Sequence, residues 1–187
     1  MKRSEFNEKI EKIIDDITKE IIESYNDTKA MEPMLFITSI EDIEKESCKV
    51  GMVKDWAIIY DTMKNDESFF DKFKEFLKKE KIIFSMNVSE AIISIIKKDE
   101  NENIDFENMD FEKMKEEAFE KLDVLLFAVE TPFSSKTIVY KIKEKELELL
   151  NREPFNEWIS KKNVGGKMTN LVTYIPNFKT KGDLNLN

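Results

Sequence analysis

The sequence predicts an α+β fold: one mainly antiparallel sheet of about five strands with helices packed on one face, or a three-layer variant of it. Three observations lead there. Apolar residues recur at helical spacing over residues 4–25. Strict alternation over 136–145 marks a strand with one wet face, the kind found in antiparallel sheets. Helical and strand-like stretches are interleaved without the regular β-α-β order of a parallel sheet.

The elements follow in order. Phe6, Ile10, Ile13, Ile14, Ile17, Ile21 and Tyr25 form a one-sided stripe, with Lys and Glu on the other side, and Ser4 suits the helix start. Such a helix lies on a sheet or on a partner, and a second copy docking through residues 4–25 is one expectation. Pro33 ends the helical option, and 34–40 reads as a strand. Residues 41–49 are polar and turn-like. Residues 53–60 alternate as a second strand, so that 34–40 and 53–60 make a hairpin. Ser68 with Asp71 fits a capping box for a helix reaching Lys79, with Phe69, Phe73, Phe76 and Leu77 inside. A short strand at 81–86 is expected next, then helices over 88–97 and 106–122.

Residues 124–129 are the most apolar strand candidate and belong in the middle of the sheet. Residues 131–135, with Pro132, link it to the alternating strand at 136–145, and 147–150 extends that strand or starts another. Pro154 suits the first turn of a helix running to Lys162. A last strand is expected at 171–175. Residues 1–178 read as one domain and 179–187 as a loose tail.

Composition excludes several chemistries. The 187 residues include no His and one Cys, Cys48. Histidine triads, imidazole general bases, intrachain disulfides, CxxC redox pairs and multi-cysteine zinc sites are all ruled out. Only carboxylates remain as good metal ligands, which would favour Mg²⁺, Mn²⁺ or Ca²⁺. No apolar run approaches the length of a membrane span, and residues 1–20 do not read as a signal peptide, so a cytoplasmic location is expected.

The net charge is −9, and it is uneven. Residues 98–123 carry four basic and eleven acidic side chains, whereas 124–187 carry ten basic and seven acidic. An acidic surface disfavours non-specific binding to nucleic acid or anionic membranes. Arginine, the usual residue for bidentate phosphate and base contacts, occurs only at positions 3 and 152. Direct nucleic-acid binding is therefore not expected.

Candidate sites are few. Glu107, Glu112, Glu116, Glu117 and Glu120 would array negative charge on one helix and could dock on a basic protein surface, although a solvated helix face has the same pattern. Lys161, Lys162, Gly165, Gly166 and Lys167 could meet an anion or a partner through ammonium groups and exposed backbone N–H groups, or could simply cap and end a helix. No Walker A loop or G-x-G-x-x-G pattern is present.

Asp55, Asp61, Glu90, Asp123 and Glu130 stand at predicted element ends, where carboxylates could converge on a divalent ion for phosphoryl transfer. Ser94 and Lys97 match Ser-x-x-Lys, without the companion motifs of a penicilloyl-type site. Cys48 has no local activator, and Ser134, Ser135 and Lys136 could crown a site on the link between two strong strands or simply connect them. The leading expectation is a small acidic interaction or regulatory protein without catalysis, resident cofactor or metal, binding a protein with a basic patch. A viral or mobile-element accessory protein would fit that description. The alternatives are a Mg²⁺- or Mn²⁺-dependent phosphate-ester hydrolase and a structural subunit of an assembly.

Overall fold

The computed structural model describes residues 1–45, 48–95, 120–144, 146–151, 155–160 and 171–176. The chain opens with α1 (Arg3–Thr28), β1 (Met34–Ser39), α2 (Ile40–Glu44) and β2 (Gly51–Val53). It continues through α3 (Trp56–Asn65), α4 (Glu67–Lys79), β3 (Ile82–Ile95) and β4 (Glu120–Glu130). The remaining elements are β5 (Ser134–Lys143), β6 (Glu146–Leu149) and β7 (Trp158–Ser160). All strand pairings are antiparallel in the order β2-β1-β3-β4-β5-β6, and β7 pairs with the start of β5. This is the expected α+β class, with a larger sheet than the five strands expected.

The stripe of α1 is buried as its spacing requires: Phe6, Ile10, Ile14 and Tyr25 are at most 4% exposed. Its partners are Phe84, Met86, Val88, Leu125, Phe127, Val129 and Ile138, from the three central strands. Full burial of such side chains contributes about 1.5–3 kcal/mol each, so packing rather than the modest propensity of isoleucine holds this helix. Lys29 closes it in the left-handed region (φ 57°), its N–H donating to the Tyr25 carbonyl at 2.7 Å. Because the apolar stripe faces its own sheet, only the charged side of α1 is left for outside contacts.

The helices do not share one face. Met34 and Phe36 pack in the α1 cluster, whereas Leu35 between them packs with Trp56 of α3 and Met63. Alternate residues of a strand point to opposite faces, so α1 and the α3–α4 pair lie on opposite sides of the sheet. The three-layer variant is the one observed. Beside β1, Thr38 pairs with Phe84 and Ser39 with Ile82. Ile83 is therefore an extra residue, a β-bulge, and both Ile83 and Phe84 reach the α1 cluster.

Several expected elements differ. The 53–60 segment is β2 ending at Val53 and then α3 starting at Trp56. Trp56, Ile59, Tyr60 and Met63 share one cluster at helical spacing. Residues 41–44 form α2, because the Ser39 hydroxyl caps the Asp42 N–H at 3.1 Å. The expected 88–97 helix is the second half of β3 as far as Ile95; 96 and 97 lie outside the described residues. Its β-branched residues suit a long pleated strand paired with β4 from Ser85↔Glu130 to Ile95↔Glu120.

Of the 106–122 helix, Glu120–Leu122 begin β4 instead, and 106–119 lie outside the described residues. Trp158 and Ile159, assigned from the sequence to a helix, form β7. Residues 171–175 carry no strand; Leu171 and Val172 are buried against Leu77 and Ile82. β4 does lie inside the sheet, between β3 and β5. No described helix is long and apolar enough to cross a membrane.

Candidate functional site

The outward side of α1 is charged along its length, and its charge is lopsided. Arg3–Ile14 holds three bases and three acids. Residues 15–28 hold Asp15, Asp16, Glu20, Glu23 and Asp27 against Lys19 alone, and all six are exposed. The last turn has no basic residue. Carboxylates near a helix C-terminus oppose the macrodipole, and like charges at i,i+3 and i,i+4 repel. Asp16, Glu20, Glu23 and Asp27 form successive like-charge pairs of this kind, and Asp27 also stands in the last turn.

This acidic end continues onto the sheet. Glu90 of β3 and Asp123 of β4 lie on the same face, since Glu90 pairs with Leu125 and Ile92 with Asp123. The Glu90 carboxylate accepts from the Met31 N–H at 2.8 Å, tying the chain after α1 to the sheet. Both carboxylates sit near Tyr25, whose phenol is pushed above its ordinary value, first by burial and then by Glu90 and Asp123.

The other carboxylates singled out from the sequence do not converge. Asp55 precedes α3 in the left-handed region (φ 53°), and Asp61 is exposed on that helix. Glu130 is buried at the end of β4, where it accepts from the Val172 N–H at 3.3 Å. Among the described residues no group of three His, Cys, Asp or Glu is placed to hold a metal ion. Cys48 is half-buried, and burial raises its thiol above the usual value, which suits a packing role rather than a nucleophile.

Glu120 pairs with Lys141 at 3.2 Å. Glu107, Glu112, Glu116 and Glu117 lie outside the described residues, as do Lys161, Lys162, Gly165, Gly166, Lys167 and the pattern's Lys97.

A second feature lies beside the 131–136 link, where the sequence offered Ser134, Ser135 and Lys136. A cavity of about 270 Å³ opens between the first turns of α1, the β4–β5 turn and β7. It is lined by Arg3, Asn7, Ile10 and Glu11 from α1, by Thr131, Phe133 and Ser134 from the turn, and by Trp158. The turn is held by Thr131, whose hydroxyl accepts from the Ser134 N–H at 3.1 Å and whose own N–H donates to the Ser134 carbonyl at 2.9 Å. On one wall Glu11 accepts from the Trp158 indole N–H at 2.5 Å and from the Lys136 ammonium at 3.3 Å. On the opposite wall the Arg3 guanidinium stacks over the Phe133 ring at 4.7 Å.

Arg3, Asn7, Ile10 and Glu11 are an i, i+4, i+7, i+8 set, so the helical period could have grouped them. Phe133 and Trp158, more than 120 residues away, could not be added without the topology. No protein-family model, curated protein or solved structure matches this chain.

Proposed function

We propose that this protein is a small acidic interaction protein that docks its negative surface on a protein partner carrying a basic patch. The supporting observation is where the charge of α1 stands. Five carboxylates against one lysine occupy the C-terminal half of a 26-residue helix, where they repel one another at i,i+3 and i,i+4 and Asp27 also opposes the macrodipole. Their nearest extension on the sheet, Glu90 and Asp123, has the same sign. Such an arrangement sacrifices a little stability, and long-range attraction for a cationic surface is what it supplies in return. The acidic residues Glu107, Glu112, Glu116, Glu117 and Glu120 belong to the same reading, and Lys161, Lys162, Gly165, Gly166 and Lys167 remain its second contact loop.

The test is capture of partners from cells of the source at low and at high salt, with the native chain and with Asp16→Lys/Glu20→Lys/Glu23→Lys. A stoichiometric partner is expected at low salt, lost at high salt and lost with the triple variant. The variant itself should be as stable as the native chain or slightly more stable. No partner in either salt, or a partner indifferent to both salt and charge reversal, would overturn the proposal.

A further inference from the structure

We infer that the cavity at the start of α1 binds a carboxylate attached to a small apolar body. The argument begins with the charges. Glu11 is already matched, one oxygen by Lys136 and the other by the Trp158 indole N–H. Lys136 is spent on that pair and on the Trp158 ring, 5.6 Å away. Arg3 has no carboxylate partner among the described residues, so its charge is the uncompensated one at the cavity. One positive charge beside a neutralised carboxylate matches a monoanion better than a phosphate dianion, which Glu11 would repel.

Geometry narrows the ligand further. Stacking on Phe133 occupies one face of the guanidinium and leaves its N–H edge available, and that edge matches the two oxygens of a carboxylate. One turn along α1, the Asn7 side chain also has no hydrogen-bond partner among the described residues, and it lines the same cavity. Ile10, Phe133 and the Trp158 ring supply an apolar floor and walls. The volume, about 270 Å³, falls just below the ~300–1,000 Å³ typical of pockets for drug-sized ligands. It suits a free aryl or alkyl acid, or the last residue of a peptide with its terminal carboxylate. The chain has 30 cationic side chains and only two arginines, and the structure puts one of the two at this cavity.

The chain carries two tryptophans, and they make the test direct. Trp158 lines the cavity, whereas Trp56 is buried under α3 and serves as an internal control. Their indole N–H signals in a ¹⁵N–¹H spectrum, assigned with Trp158→Phe, are followed during titration with 3-phenylpropionate and with its neutral amide. A hexapeptide ending in phenylalanine, with a free or an amidated C-terminus, forms the second arm. A saturable shift of the Trp158 signal alone is expected with the acids, and binding about tenfold weaker with the amides.

Arg3→Ala should weaken the acids about tenfold and Arg3→Lys less, both with unchanged circular dichroism; Lys72→Ala, on the opposite face, should change nothing. If the free-ended peptide binds more than about tenfold tighter than the small acid, the source is a peptide end; otherwise it is a free acid. No saturable shift up to ~10 mM, equal binding of acids and amides, or full binding by Arg3→Ala would overturn the inference.

Discussion

On one face of the sheet a single long helix lays an isoleucine stripe into a cluster, and the polar side chains on its buried side are Thr18 and, at the far end, Tyr25. On the other, two shorter helices pack with aromatic rings that stay partly wet. Phe69, Phe70 and Phe73 are half-buried, and Ile58 and Phe76 are exposed. Aliphatic side chains fill a dry seam to uniform depth. Aromatic rings tilt against one another, as Trp56 and Phe73 do at 5.7 Å and Phe73 and Phe76 at 6.3 Å, and their edges remain at the surface. The comparison implies that the α1 face carries most of the packing energy and that the α3–α4 face is the softer layer.

The strongest way to break this comparison is to truncate one residue on each side. Ile14 is 1% exposed at the centre of α1. Ile14→Ala should cost roughly 2–5 kcal/mol, the range for large-to-small changes in a dry core. Phe73→Ala removes a bigger side chain but from a half-wet site, so its cost should be smaller than that of Ile14→Ala. Urea unfolding of the two variants measures both. Equal costs would mean that the two layers are equally tight.

A second prediction concerns the polar handle of the softer face. The Trp56 indole N–H donates to the Asn87 side-chain oxygen at 2.8 Å, fixing α3 to the middle of β3. Trp56→Phe keeps most of the ring but leaves Asn87 unpaired, at a cost of about 1–3 kcal/mol. Asn87→Leu leaves the indole N–H unpaired and should cost a similar amount. The double variant should cost less than the two singles together, because neither orphaned group remains. Strict additivity in urea melts would show that the bond contributes nothing.

The same contrast explains what was legible in the sequence. The α1 stripe repeats cleanly over five turns, so period alone gives its extent and its buried side. On the other face, 53–60 satisfies the alternation of a strand, while Trp56, Ile59, Tyr60 and Met63 satisfy the period of a helix. Length and the later Met63 decide for the helix. Residues 88–95 hold apolar residues in both periods because Ile92 is exposed, on the face opposite half-buried Ala91 and Ile93, which removes the alternation that marks a half-wet strand. The charged face of α1 was legible as polar, but the bias toward its C-terminal end matters only once the helix direction and Glu90 and Asp123 are placed. Of the cavity only the 131–136 link was legible, since residues 3–11 and 158 join it through the order of the strands.

The α1 face has one flaw, and it gives a smaller effect of opposite sign. The Thr18 hydroxyl is buried on the same helix as Ile14, Ile17 and Ile21 without a hydrogen-bond partner among the described residues. Thr18→Val replaces it with a methyl group of similar shape and removes an unpaired polar atom from the dry seam. Stability should stay level or rise by up to about 1 kcal/mol, read as a higher urea midpoint with unchanged slope. A fall of that size instead would show that the hydroxyl serves a bond, and the seam would then be less dry than the comparison holds.

The smallest effect belongs to the softer face, at the start of α4. The sequence suggests Ser68 with Asp71 as the cap, but Asp66 occupies the N-cap and accepts from the Phe69 N–H at 3.1 Å. That bond, followed by the one from Ser68, holds the Asp66 carboxyl below its ordinary value. A folded-state value below the unfolded one means that the carboxylate stabilises the fold above the unfolded carboxyl range, near pH ~4, and that this contribution is lost as pH falls through the depressed folded value. Asp66→Ala should therefore lower Tm by a few degrees at neutral pH and converge on the native chain in acid. Asp66→Asn, which caps without titrating, should lack this share of the acid-side decline, and Ser68→Ala should change Tm less than Asp66→Ala. Because Asp66 is exposed, solvent and salt weaken its charge. An effect of Asp66→Ala as large as that of Ile14→Ala would mean that the entry of α4, rather than the α1 seam, governs when the sheet opens.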